Sequence, residues 1–188
     1  LDGERLPIDG HYVRDRSWGY PRPEEAELMP PYRWMNGWFG PRSGFVVAWL
    51  DVGMLDDPRF GPRWQELHQG GGDAAANKWE SGGPTPSTNL RSGWIAIDGD
   101  VRQVVRMDVE SRFARDPALL VEAIGLEIED ARGDVHRIDG RTTAMIPKMY
   151  WQNLVTYMHA IELRCGPHAG NGDLMDTYSG WHMRPHGP

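Results

Sequence analysis

Cysteine, uninterrupted apolar sequence and positive charge are all scarce in this chain, and each shortage removes a class of function. The single cysteine, Cys165, leaves no internal disulfide. It favours a reducing compartment, the cytoplasm, with the periplasm of a cysteine-poor secreted protein as the alternative. The longest uncharged apolar run, Gly44 to Leu50, is far short of the ~20 residues that a membrane-spanning helix needs. No membrane span is expected. Lys and Arg number 20 against 27 Asp and Glu, for a net charge of -7, and the basic residues are scattered. Phosphate backbones require clustered cations, so nucleic acid is not an expected partner.

Several chemical motifs are missing as well. There is no His-Glu-x-x-His or Cys-x-x-Cys, and although His182 and His186 are four apart, Pro185 lies between them and spoils a helical metal face. No Gly-x-Ser-x-Gly elbow occurs, and Gly70-Gly71-Gly72 lacks the Lys-Ser/Thr that completes a phosphate-binding loop. Neither a metal nor a cofactor is expected. Cys165, within an apolar stretch, reads as an inert thiol.

What remains is a chain rich in turn formers and aromatics: 23 Gly, 15 Pro and nine Trp in 188 residues. That composition favours a loop-rich β protein over a helical bundle, and the length fits one β domain over residues 1–188. Tyr32 to Phe39 and Phe45 to Val52 read as strands joined at Gly40-Pro41-Arg42-Ser43-Gly44. Residues 53–90 are a Gly/Pro-rich insertion without periodicity, a long loop or lid excursion that either contacts a ligand or partner or is a surface insertion with no chemistry. Strands resume at Ser92 to Ile97. A turn at Asp98-Gly99-Asp100 leads to Val101 to Phe113, where Val101, Val105, Val109 and Phe113 are expected to share the buried face. Leu119 to Asp130 turns at Ala131-Arg132-Gly133-Asp134 into Val135 to Ile138. A further turn at Asp139-Gly140 leads to Arg141 to Ile146, and Pro147 ends that run. Tyr150 to Cys165 reads as a long strand or strand pair, followed by a turn over Gly166 to Gly172 and a last strand, Asp173 to Met183. Eight to ten such strands with Gly-Asp turns predict an all-β fold, an antiparallel lipocalin-like barrel or a β-sandwich.

One short stretch carries the strongest chemical suggestion. In Gly10 to Gly19, Asp15 stands among Tyr12, Val13 and Trp18 and is flanked by Arg14 and Arg16. In a strand those arginines point to the opposite face from Asp15, whereas His11, an even number of positions earlier, shares its face. Asp15 is thus a candidate reactive acid, or else a structural acid paired with an arginine. Later in the chain, Tyr157, His159 and Ile161 share one strand face, and Met158, Ala160 and Glu162 the other. Trp18, Trp34, Trp38, Trp49, Trp94, Tyr150, Trp151, Tyr157 and Trp181 provide the rings for a core or for the wall of a ligand pocket.

The pattern Tyr12-x-x-Asp15-x-Ser17-Trp18-Gly19 resembles the Tyr-Arg-Asp-His-Ser-Trp-Gly signature of the lipocalin-like proteins that include carotenoid 1,2-hydratases, with Arg16 where that family has His. The Asp-Gly-Asp-Val hairpin, the Asp-Ala-Arg-Gly-Asp turn before His136-Arg137-Ile138-Asp139-Gly140, and the Gly170-x-Gly172 followed by Asp173 and Asp176 resemble its carboxy-terminal half. The resemblance implies a hydratase or dehydratase acting on a hydrophobic terpenoid-like alkene or alcohol, in which a second β domain, from another subunit or another copy, completes the pocket. Such chemistry needs a proton donor with a raised pKa, a polar group to hold water, and π faces for a carbocation. The resemblance makes Asp15 the acid; His11, on the same strand face, is its candidate proton partner or else an ordinary half-exposed polar residue. Either Tyr157 with His159, or Glu162, would be the second polar group. Tyr12, Trp18, Trp34, Trp38, Trp49 and Trp151 would line the substrate. The competing expectation is a non-catalytic carrier of hydrophobic ligands, or a regulatory subunit of a heteromeric enzyme.

Overall fold

The protein was analysed as a computed structural model that describes residues 32–50, 89–114, 121–151 and 154–179. Among the described residues eight strands form: β1 (Tyr32–Gly40), β2 (Ser43–Leu50), β3 (Asn89–Ile97), β4 (Asp100–Phe113), β5 (Val121–Asp130), β6 (Val135–Trp151), β7 (Leu154–Cys165) and β8 (His168–Ser179). Each pairs antiparallel with the next, and β8 pairs back onto β1 to close the barrel. Closure leaves no sheet edge unpaired, which settles the barrel over the sandwich. No helix among the described residues is long and apolar enough to cross a membrane.

The two ends of the barrel differ. The four hairpin turns among the described residues, at residues 41–42, 98–99, 131–134 and 166–167, all lie at one end, here called the turn end. At the distal end β1, β3, β5 and β7 begin and β2, β4, β6 and β8 finish. The Asp98-Gly99 turn has φ of 51° and 87°, the left-handed pair that matches hairpin twist and that Asp-Gly adopts at low cost.

Strand alternation sends one face of every strand inward. Met35 on β1, Phe45 and Val47 on β2, Ile95 on β3, Met107 on β4, Leu126 and Ile128 on β5, Ile138 on β6, Ile161 and Leu163 on β7 and Leu174 on β8 fill the middle of the barrel as one buried cluster. This packed waist confines any ligand space to the ends.

Five expectations need correction. Val101 and Val105 are 67% and 53% exposed, because a bulge between Val104 and Arg106 resets the alternation so that Val104 and Met107 face inward; Val109 and Phe113 do pack against the core. Asp139-Gly140 is not a turn: β6 runs unbroken through it and through Pro147. A Cβ at Gly140 would meet Ile124 and Ile161 methyls at 2.9 Å, so glycine there serves close packing of neighbouring strands. The last turn is only Gly166-Pro167, and Gly170 and Gly172 lie inside β8, where a Cβ would strike the carbonyl oxygens of Trp38 and Asn36 on β1. Tyr150 and Trp151 end β6, and β7 starts at Leu154. Asn89 and Leu90, at the end of the expected insertion, belong to β3, and the rest of that insertion lies outside the described residues.

Candidate functional site

Two polar groups of residues interrupt the apolar interior, one at each end. At the turn end, the fully buried Asp130 accepts from Arg102 at 2.8 Å, pairs with His136 Nε2 at 3.0 Å, and takes the backbone N–H groups of Arg132 and Asp134 at 2.8 and 3.2 Å. The His136 and Arg102 bonds hold its carboxyl well below the usual carboxylate range. Every oxygen has a partner, so this group is a structural plug beneath the core.

The distal group is built differently. Arg33 on β1 pairs in the ladder with Trp49 on β2 and Asp176 on β8, and Asp176 pairs with Tyr157 on β7. These four side chains therefore stand side by side on the inner face. Arg33 Nε donates to Asp176 Oδ1 at 3.0 Å, with both side chains completely buried. Its Nη1 donates across the barrel to Ser111 Oγ on β4 at 2.8 Å, and its guanidinium lies 5.3 Å from the Phe113 ring centroid. Tyr178, two positions beyond Asp176 and on the same face, donates its hydroxyl to Asp176 Oδ2 at 2.7 Å.

Electrostatics fix the charge states. A guanidinium cannot give up its proton, so a neutral Asp176 would strand a positive charge in the barrel. Burial pushes the Asp176 carboxyl up, while Arg33 and the Tyr178 hydroxyl pull it back toward the ionised form. Burial and the Asp176 charge push Tyr157 up, and burial drives Tyr178 well above its ordinary value, so both remain phenols.

His159, on β7 two residues past Tyr157, is also completely buried; its ring centroid lies 6.5 Å from that of Tyr157. Burial, with the Arg33 charge, lowers its pKa to about 4. The ring is neutral at physiological pH and presents one N–H donor and one acceptor nitrogen. Neither nitrogen has a hydrogen-bond partner among the described residues, and the same is true of the buried Trp49 Nε1. A dry, unpaired polar atom costs about 1–3 kcal/mol, so three of them in one end of a barrel leave an unmet hydrogen-bonding demand there. A hydroxyl or a water fits that demand, because it both donates and accepts.

The sequence-predicted residues separate cleanly. Tyr157, His159 and Trp49 come together at the distal end with Asp176, the acid placed beyond the Gly-x-Gly. Trp34 and Trp38 lie on the opposite, outer face of β1, where Trp38 meets Trp94 with ring centroids 6.0 Å apart. Glu162 faces outward and pairs with Arg141 at 2.9 Å. Asp173 is on the outer face, accepting from Asn36 Nδ2 at 2.5 Å. Asp15, His11, Tyr12 and Trp18 lie outside the described residues, and Trp151 is described only as the last residue of β6.

Sequence reasoning passed over Arg33, Ser111, Phe113 and Tyr178. A signal for Arg33 existed: it shares a strand face with Met35 and Gly37 in an otherwise aromatic run. Outside the barrel, a groove of about 630 Å³ runs over β6, β7 and β8, lined by Asp139, Arg141, Glu162, Arg164 and Asn171, and it does not touch the distal group. Among the described residues no three His, Cys, Asp or Glu side chains are placed to hold a metal ion.

Comparison with curated proteins and with solved structures finds no match. Residues 1–175 match the family described as a domain of unknown function, DUF7064, and the chain belongs to that family.

Proposed function

We propose that the protein is a cofactor-independent hydro-lyase of hydratase or dehydratase type, acting on a hydrophobic terpenoid-like alkene or alcohol at the distal end of the barrel. The observation that carries this reading is His159: a neutral, fully buried imidazole beside the Tyr157 ring, whose two nitrogens have no partner among the described residues. In the dehydration direction an acid protonates the substrate hydroxyl, the C–O bond breaks, water departs, and a neighbouring carbon loses a proton to form the alkene. The acid regains its proton, and hydration is the same sequence reversed. His159 and Tyr157 hold the hydroxyl or the water, and the π faces of Trp49 and Tyr157 stabilise the transient cation. Asp176 is a poor proton donor because Arg33 keeps it ionised, so the donor role falls to Asp15, with His11 as its proton partner, at the sequence position that carries the family resemblance. Trp34 and Trp38, on the outer face, have no part in this arrangement. A second β domain, from another subunit or another copy of this chain, completes the pocket.

One observation favours the rival reading, a carrier of hydrophobic ligands or a regulatory subunit: the buried carboxylate of the distal group, Asp176, is already engaged by Arg33 and Tyr178. The two readings diverge on turnover. Incubation with tertiary and allylic terpenoid alcohols, analysed by gas chromatography and mass spectrometry, should reveal alkene formation by the parent protein. Asp15→Asn should abolish it while ligand affinity stays within a few-fold. Binding without turnover in the parent selects the carrier.

A further inference from the structure

We propose that the groove on the outside of the barrel, over β6, β7 and β8, binds a small zwitterion, with Asp139 taking its ammonium and Arg164 its carboxylate. This site is separate from the distal group and independent of the reading above.

Strand alternation shapes the groove. Gly140, Leu163 and Gly170 are neighbours across the ladders and belong to the inward face, so on the outside they contribute only backbone, which forms the floor. Two rows of outward residues flank it, Asp139, Arg164 and Ala169 on one side and Arg141, Glu162 and Asn171 on the other. Residues two apart on a strand are about 7 Å apart, which leaves room for a slim chain between the rows. The space of about 630 Å³ is of the size that small ligands occupy.

Charge selects the guest. Among the described residues five oppositely charged pairs stand directly opposite each other in the ladders. Four are closed: Arg33–Asp176, Arg106–Glu129, Arg137–Glu127 and Arg141–Glu162, with N–O distances of 2.9–3.0 Å. The fifth, Asp139 with Arg164, is open, and neither side chain has an ion pair or a side-chain hydrogen bond among the described residues. The Asp139 carboxylate leans over β5 instead, where a Cβ at Gly125 would meet its Oδ1 at 3.9 Å. An unmatched anion and an unmatched cation therefore stand side by side in one wall, while Arg141 and Glu162 in the other neutralise each other. A simple anion or cation would meet one attractive and one repelling group; a zwitterion satisfies both. The Asn171 amide, both donor and acceptor, is placed to meet a polar unit between the two ends of the guest.

The test is titration of the whole chain, followed by the chemical shifts of its backbone amides, with three ligands of one skeleton: glycylglycine, its N-acetyl derivative and its carboxamide. At neutral pH glycylglycine should give saturable shifts centred on β6, β7 and β8, and capping either end should weaken binding by roughly threefold or more, the size expected for one partly exposed ion pair. Arg164→Gln should erase the preference for glycylglycine over its carboxamide, and Asp139→Asn the preference over the N-acetyl form. Both positions are exposed, so the rest of the amide spectrum should be unchanged and shows that each variant is folded. Arg112→Gln, on an exposed ion pair away from the groove, should leave all three affinities as they were. Equal binding of the three ligands overturns the proposal, as do shifts centred elsewhere on the barrel or the lack of any saturable shift with glycylglycine at millimolar concentration. Variants at Asp139 and Arg164 that keep both preferences overturn it as well.

Discussion

Separating the buried Arg33–Asp176 pair is the perturbation whose outcome the structure constrains most tightly. Both side chains are completely buried, the Nε–Oδ1 distance is 3.0 Å, and Asp176 also takes the Tyr178 hydroxyl at 2.7 Å. Removing one member leaves the other charged in a dry barrel, a change that costs about 3–5 kcal/mol in comparable buried pairs. For a chain of this length each kcal/mol moves the melting midpoint by roughly 2–4 °C, so Asp176→Leu alone and Arg33→Met alone should each lower Tm by about 6–20 °C. The double variant should not cost the sum. With both charges gone, what remains is a hydroxyl left over at Tyr178 and at Ser111, and the coupling energy should reach at least about 2 kcal/mol. Urea unfolding of the four proteins, with midpoints and slopes compared, measures that coupling. Losses that add within about 0.5 kcal/mol would mean that the two residues do not act as a buried pair, and the account of the distal group would be wrong.

Three further outcomes are expected. Because folding lowers the His159 pKa from 6.5 to about 4, the unfolded chain takes up the proton first as pH falls; this contribution is complete above pH 6.5, is lost between the two values, and amounts to roughly 3 kcal/mol. The difference in urea stability between the parent and His159→Leu should follow that curve, and a flat difference from neutrality to pH 4 would contradict it. Gly172→Ala should unfold the barrel or lower Tm by about 10 °C or more, as its Cβ would run into the Asn36 carbonyl across β1 and β8; thermal melts check this, with Gly133→Ala, at a turn with open space, as the milder comparison. Tyr178→Phe, which deprives Asp176 of one donor, should cost about 1–3 kcal/mol in the same urea assay, and a neutral result would mean that the phenol is not bonded to the carboxylate.

The meander of short strands was legible in the sequence because its hairpins are local events. Asp98-Gly99 and Ala131-Arg132-Gly133-Asp134 carry the turn chemistry in the residues themselves, with Asp98, Gly99 and Gly133 all at positive φ. The misreadings arose where glycine serves packing between strands distant in sequence. Gly140, Gly170 and Gly172 resemble turn residues, yet each is small because a neighbouring strand comes close. The bulge after Val104 was equally hidden, since one inserted residue reverses which valines face water without altering composition. At the site, Tyr157 and His159 could be placed on a shared face from spacing alone. Arg33 could not be tied to Asp176, because the partners are 143 positions apart and meet only when β8 closes on β1.

The central claim is that the distal end of this barrel handles an alcohol and water together. Incubating the protein with a tertiary terpenoid alcohol in water enriched in heavy oxygen tests it most directly, since reversible loss and return of water must exchange the hydroxyl oxygen. The account predicts heavy-oxygen incorporation that depends on the protein and disappears in His159→Leu and Asp15→Asn. Bound alcohol whose oxygen remains unexchanged, across substrates that bind, would contradict it.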